Sequence, residues 1–476
     1  MLRKFLMYAA SVILVPGASL AGSLQPLLHP APEGVELAFL LTDGRVLGQS
    51  FTDQHFYALT PDSTGSYVNG TWAQVADLPR NYAPYAGASA VLGDGRVLLI
   101  GGEYNFGQFD LTNRGAIYDP AANAWKPLKP PPGHHWDYIG DSPAIVLADG
   151  RFLIGDKLNK DVAAFDPKTD QWTILPHTGK SDFNAEEGWI LLPDGKVFTY
   201  DVKHAPNSEI YDPSTQVWSS AGNTQVNLAQ NYHIKIEYGH HQFYYAPGEV
   251  GPGMLLPDGR VFATGSIPKH ETSAHTAIYD NGTWTAGPDI PNNDDAADTG
   301  SILLPSGNVM QTMLSGSIYE FDGQNFIDEQ INIGPNLASM LLLPTGQVLI
   351  AGNEVYNFEG QPDPGWAPTI GSFPRKVTRG SSYGISGTQF NGLSQANSFG
   401  DEFETATNYP LVRITNNATG HVFYARTHDH SSMGVATGNA VVSTTFDVPA
   451  AMETGPSSLV VVANGIASTP VSVRVK

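Results

Sequence analysis

One pattern recurs through most of the chain and limits its fold more than any other feature. An apolar run leads into a tight Asp-Gly turn, a second apolar run follows, and then come Tyr-Asp-Pro and a Trp. The clearest copy is Met254-Leu255-Leu256-Pro257-Asp258-Gly259-Arg260-Val261-Phe262, followed by Tyr279-Asp280 and Trp284. Asp-Gly between two β-prone runs marks a hairpin, because both residues tolerate the positive φ that the turn demands. The turn glycines are Gly44, Gly95, Gly150, Gly195, Gly259, Gly307 and Gly346, spaced 39 to 64 residues apart. The last two copies are degenerate, with Ser306 and Thr345 in place of Asp. The Trp partners are Trp72, Trp125, Trp172, Trp218, Trp284 and Trp366, with Phe326 standing in for the sixth.

A lone sheet of this kind cannot bury both faces, so successive repeats must pack against each other. A linear stack would need capped ends, and no cap is visible. The expectation is all-β: a seven-bladed kelch-type β-propeller over residues 22–373, with residues 23–36 the candidate closing segment. After Phe373 the pattern gives way to short alternating runs at Ser382–Ser386, Leu411–Thr415, His421–Thr427, Ala440–Phe446, Leu459–Val462 and Val471–Val475. Their spacing suits an immunoglobulin-like β-sandwich over residues 374–476, without a Cys-Trp-Cys core.

Residues 1–21 read as a secretory signal peptide: Arg3 and Lys4, an apolar run from Phe5 to Val15, and Ser19-Leu20-Ala21 before Gly22. The run is too short to span a bilayer, so an exported protein without membrane insertion is expected, extracellular or periplasmic. The formal charge of −21 has no basic block to offset it, which disfavours nucleic acid and anionic lipid. Cysteine is absent, which excludes disulfides, thiolate metal sites and cysteine nucleophiles. The sequons at Asn69, Asn281 and Asn417 matter only in a eukaryotic secretory route. Oligomeric state is left open.

The Leu-Pro-Asp-Gly-Arg-Val repeats, Gly101-Gly102, and the closing Gly455-Pro456-Ser457-Ser458-Leu459-Val460-Val461-Val462 with Asn464-Gly465 resemble the galactose oxidase and glyoxal oxidase superfamily. That resemblance implies a copper ion on the propeller axis. Its ligands would be two tyrosines, a histidine directly after one of them, and a histidine from a loop of the last domain, with one tyrosine cross-linked to cysteine. The cross-link cannot form here. Eight residues before Asp258, where the family has Tyr-His, stand Glu249 and Val250, and the only Tyr-His is Tyr232-His233. Thr427-His428 resembles the Thr-His of the last domain's ligand loop. Copper-radical oxidation is therefore not expected.

The same eight-residue offset puts Asp141, Glu186 and Asp298 at the end of the channel away from the turns, with Glu187 and Glu249 one residue off that line. No cation is visible in the same repeats to balance them. Carboxylates crowded together must share protons, water or a cation. His134-His135, beside Trp136 and Tyr138, and His240-His241, beside Tyr244 and Tyr245, approach the same face. His428-Asp429-His430 is expected to reach the axis from the last domain. The candidate catalytic residues are thus Glu249, Asp141, Glu187, Asp298 and His428. His135, Trp136, Tyr138, His241, Tyr244 and Tyr245 are candidates for substrate contact, and His428 and His430 for a divalent metal. Three functions follow: a secreted acid–base enzyme for a small polar or carbohydrate-like substrate, with or without a divalent metal; a non-catalytic glycan- or protein-binding module; or a copper oxidase. The same polar residues also suit a merely solvated channel mouth.

Overall fold

The computed structural model describes residues 22–51, 53–230, 234–238, 241–245, 248–335, 339–401 and 403–476, with backbone alone for 234–238 and 241–245. The chain is all-β and built mainly from four-stranded antiparallel sheets. Sheet 1 comprises Val35–Leu40, Val46–Ser50, Phe56–Thr60 and Thr71–Gln74, and sheet 2 comprises Ala88–Val91, Val97–Ile100, Gly115–Asp119 and Ala124–Leu128. Sheets 3, 4, 5 and 6 begin at Ala144, Ile190, Val250 and Ser301 and repeat this meander. Sheet 7 has Met340–Leu342, Val348–Ile350 and Glu354–Asn357.

Its fourth strand is Ser23–Pro26, which pairs with Glu354–Asn357 and joins the two ends of the repeat array. Trp366 is therefore not the seventh repeat's cross-strand partner. It ends the short turn Pro364–Trp366 and lies against Gly307 of sheet 6. The innermost strands of sheets 7 and 1 pack together, as do those of sheets 1 and 2. This construction is a kelch-type β-propeller.

The repeated residues explain the repeated geometry. In each intact turn the Asp carboxylate accepts the backbone N–H two residues on and pairs with the following Arg or Lys. Examples are Arg45–Asp43 and Arg260–Asp258. Gly259 holds φ of 90° with nothing near its missing side chain, so the turn needs glycine for backbone reasons alone. Four of the tryptophans lie tilted against the Tyr or Phe opposite them, as in Tyr118–Trp125 at 5.1 Å, while Trp72 faces Leu59. They also reach the neighbouring sheet: the Trp125 ring lies 4.8 Å from Phe56, and its Nε1 donates to the Ala76 carbonyl. Shared apolar clusters thus run from sheet to sheet.

The C-terminal residues form one continuous strand path around their own core, which includes Val377, Ile385, Val412, Phe446, Leu459 and Val473. Val422–His428 pairs with Leu411–Asn416 through its first half and with Val442–Asp447 through its second. This unit docks on the Asp-Gly turns. Thr427 N donates to Thr42 O, His430 N to Gly93 O and Met433 N to Ala148 O, while the Tyr424 ring covers Gly44.

From the same unit, residues 395–401 and 403–407 enter the middle of the ring. Asn397–Ser398 adds a strand to Ser301–Leu303, and Asn397 Oδ1 accepts from Leu342 N. Gln395 Oε1 accepts from Leu191 N, and Ser89 Oγ bonds the Glu404 backbone. Four sheets thereby grip this one excursion.

Candidate functional site

Each innermost strand starts at the end away from the turns, and there the axis is acidic. Ala86, Glu186 and Asp298 stand at equivalent points of three sheets, and all three have left-handed φ, between 47° and 58°. Non-glycine residues rarely hold this conformation, and it clusters where side chains are aimed for function. Asp141, Glu186 and Asp401 each place one carboxylate oxygen within 4.8 Å of the others, and all three are buried. Asp401 sits at the tip of the axial excursion, where Gly400 passes Gly188 of sheet 4.

Lys157 lies among these acids. It pairs with Asp141 and, at 2.9 Å, with Glu186, and all three residues are at most 2% exposed. Burial raises Asp141 to about 7 against the opposing pull of Lys157. Burial first, then Glu186, Asp298 and Asp401, hold Glu249 well above the usual carboxylate range. Asp298 is also raised by burial, and a hydrogen bond from Glu249 draws it back. The two carboxyls share a hydrogen bond in a site where burial disfavours charge on both. Glu103 completes the ring, pushed up to about 7 by burial and by Asp141.

Several expectations need correction. Glu187 is not axial: its neighbour Glu186 is, and Glu187 turns away to Lys180 at 2.8 Å. The acids do have a compensating cation within their repeats, because Lys157 follows the second strand of sheet 3. His428 does not reach the axis. It lies at the end of its strand between Asp429, at 2.8 Å, and Asp447, at 3.2 Å, near the turns at the other end of the propeller. His430 is held apart from it, stacked on Tyr409 and bonded to Thr444 Oγ1 at 2.9 Å, and burial lowers it to about 3. The two histidines are thus committed to different partners and do not form a metal pair.

Trp136 is core, 2% exposed, which removes it as a stacking surface. His135 is exposed at the rim with Nδ1 2.6 Å from Asp161, which His177 also approaches at 2.8 Å, and Tyr138 is half-buried nearby. The backbone of His241–Tyr245 pairs with Ile234–Tyr238, but the side chains of His241, Tyr244 and Tyr245 lie outside the described residues, as do His240, Tyr232 and His233. Lys157, Asp401 and Glu103 were not singled out in the sequence.

At the same end, sheets 6, 7, 1 and 2 enclose a pocket of about 820 Å³ lined by Val35, Glu36, Phe51, Tyr85, Ile333 and Ile350, among others. Tyr85 links it to the acids, since its ring lies 5.8 Å from Phe403, two residues beyond Asp401. Burial raises Glu36, in the pocket wall, to about 7. Among the described residues the axial side chains are carboxylates around an ammonium. That donor set does not fit a copper-radical centre built from tyrosines and histidines. Among the described residues, no helix is long and apolar enough to cross a membrane.

No family model matches the chain. It is 26% identical over 134 residues to the Kelch-like protein terF of Aspergillus terreus, a match covering 24% of this chain and 28% of that protein. The chain thus spans under a third of that relative's length. Among solved structures, virginiamycin B lyase from Staphylococcus aureus aligns with a TM-score of 0.47 and 11% identity, over 71% of this chain and 98% of that one. Its catalytically inactive H270A form with quinupristin aligns equally, over 70% and 98%.

Proposed function

We propose that this is an exported enzyme, a seven-bladed propeller with an immunoglobulin-like C-terminal domain, that acts on a small polar or carbohydrate-like substrate by acid–base chemistry at the end of the channel away from the turns. The galactose-oxidase-like resemblance is one of architecture, and the chemistry is not copper-radical oxidation. The observation that carries the reading is the Glu249–Asp298 pair, joined through Asp401 and Phe403 to a pocket of substrate size. A carboxyl raised by burial can protonate a leaving oxygen, and a carboxylate hydrogen-bonded beside it can accept a proton from a hydroxyl or water. Lys157 would stabilise negative charge developing beside them. Phe51 and Tyr85, set edge to face at 5.8 Å, offer an apolar surface for a sugar ring.

The non-catalytic binding reading has its own support. Lys157 is fully buried and doubly paired, as in a structural ion cluster. Saturation-transfer NMR on a panel of neutral mono- and oligosaccharides separates the two readings. Binding with conversion, conversion being lost and binding kept in Glu249→Gln, supports the enzyme. Binding without conversion at any pH between 4 and 9 supports the module, and no binding by any member overturns the site.

A further inference from the structure

A second group of acids is buried at the same end of sheet 4, apart from the axis. Lys180 bonds both oxygens of Glu187 at 2.8 Å and Glu209 at 2.7 Å, with its ammonium 4.7 Å from the Trp218 ring. Glu209 also accepts from Ser181 N at 2.6 Å and Asp182 N at 3.3 Å. These two glutamates are satisfied.

Asp201 is different. It directly follows strand Val197–Tyr200, is 2% exposed, and its carboxylate oxygens receive no hydrogen bond from any N–H or hydroxyl, only the Glu209 carboxyl lying against it. An ionised carboxylate buried without partners costs several kcal/mol, by order of magnitude. The other nearby lysine does not help, because the Lys203 ammonium sits 4.0 Å over the Phe183 ring. On one side Asp201 faces Glu187 and Glu209, and on the other, towards solvent, Asp182 and His204. One ligand atom from each of Asp182, Asp201 and His204 lies within 4.8 Å of the others. Asp182 is fixed by backbone donors: Lys203 N at 2.8 Å and His204 N at 3.2 Å to one oxygen, Phe183 N at 2.9 Å to the other. His204 points its Nδ1 to that second oxygen at 3.4 Å and is 43% exposed, leaving a way in from solvent.

We propose that Asp182, Asp201 and His204 bind a divalent transition-metal ion of the zinc or manganese class. Two carboxylates and one imidazole are the donors such ions take, whereas calcium favours six to eight oxygens. The ion gives the buried Asp201 carboxylate a positive partner, and water reaching past His204 fills the remaining positions. Bonds of about 2 Å bring ligand atoms closer than 4.8 Å, and the half-exposed His204 side chain has the freedom to close that gap.

The test uses full-length protein stripped with chelator and titrated calorimetrically with zinc chloride and with manganese chloride. The expected result is one saturable site for at least one ion. It should weaken about tenfold or more in His204→Ala and Asp201→Asn, and be unchanged in Glu249→Gln. His204 is at the surface, so its variant reports even if Asp201→Asn does not fold. Absence of saturable binding by either ion, or binding that survives the His204 substitution, overturns the site. Neither outcome bears on the axial acids, whose substitution leaves these ligands untouched.

Discussion

Glu186 and Glu187 are adjacent in sequence yet serve different clusters, one on Lys157 at the axis and the other on Lys180 beside Trp218. The left-handed backbone at Glu186 makes that division; the eight-residue offset falls on Glu186, and the candidate set erred in carrying its neighbour Glu187 instead. The same count did find Asp141 and Asp298, because the inner strands keep a regular length between channel end and turn. Lys157 gave no signal, since a lone lysine after a strand reads as surface. It is nevertheless the positive charge the acids are arranged around. Replacing it with Met strands Asp141 and Glu186 in a buried site. Lys157→Met should cost about 3–5 kcal/mol in urea unfolding, with part of the loss recovered when Asp141→Asn is added. Equal stability of wild type and Lys157→Met would mean that the cation is not needed there.

At the scale of elements, the sheets were legible because their punctuation is local: Asp caps its own turn, and in four sheets Trp meets a Tyr or Phe opposite. The axial excursion was not. Residues 395–407 read as a polar loop of the C-terminal domain, and the propeller groups that hold them, from Ser89 to Leu342, lie 55 or more residues from the positions they bond. For this reason His428 was the residue expected on the axis, while Asp401 arrives there instead. Asn397 is the anchor, accepting from Leu342 N at 2.9 Å and donating to Thr405 O at 2.9 Å. Asn397→Ala leaves both groups buried and unpaired, and it should lower stability by about 1–3 kcal/mol. The excursion itself should then exchange amide hydrogens faster than the outer strands. Unaltered exchange at residues 396–405 would show that Asn397 does not hold it.

For the whole molecule, ring closure depends on the N-terminus. Gly22 N–H donates to Glu329, which is 4% exposed, just ahead of the strand that completes sheet 7. Cleavage before Gly22 would turn that amide into an ammonium facing a buried carboxylate. N-terminal sequencing of exported protein should therefore begin at Gly22, and a sequence beginning at Met1 would refute the leader.

The buried acids also set the pH dependence. Glu36, Glu103, Asp141 and Asp156 are each raised by burial to about 7. Their folded forms hold protons that the unfolded chain releases near pH 4, so their contribution is full below that and is lost as pH rises through 7. The melting temperature should be higher at pH 5.5 than at pH 8, and the reverse order would contradict these assignments.

The central claim is that the acids at the channel end perform chemistry without oxygen or a copper radical. Turnover of neutral oligosaccharides, followed against pH in deoxygenated buffer for wild type and Glu249→Gln, tests it directly. Bell-shaped, oxygen-independent conversion is expected of wild type, with a loss of about a hundredfold or more in the variant, which stays folded. Conversion that requires oxygen and releases peroxide, or activity unchanged in Glu249→Gln, would contradict it.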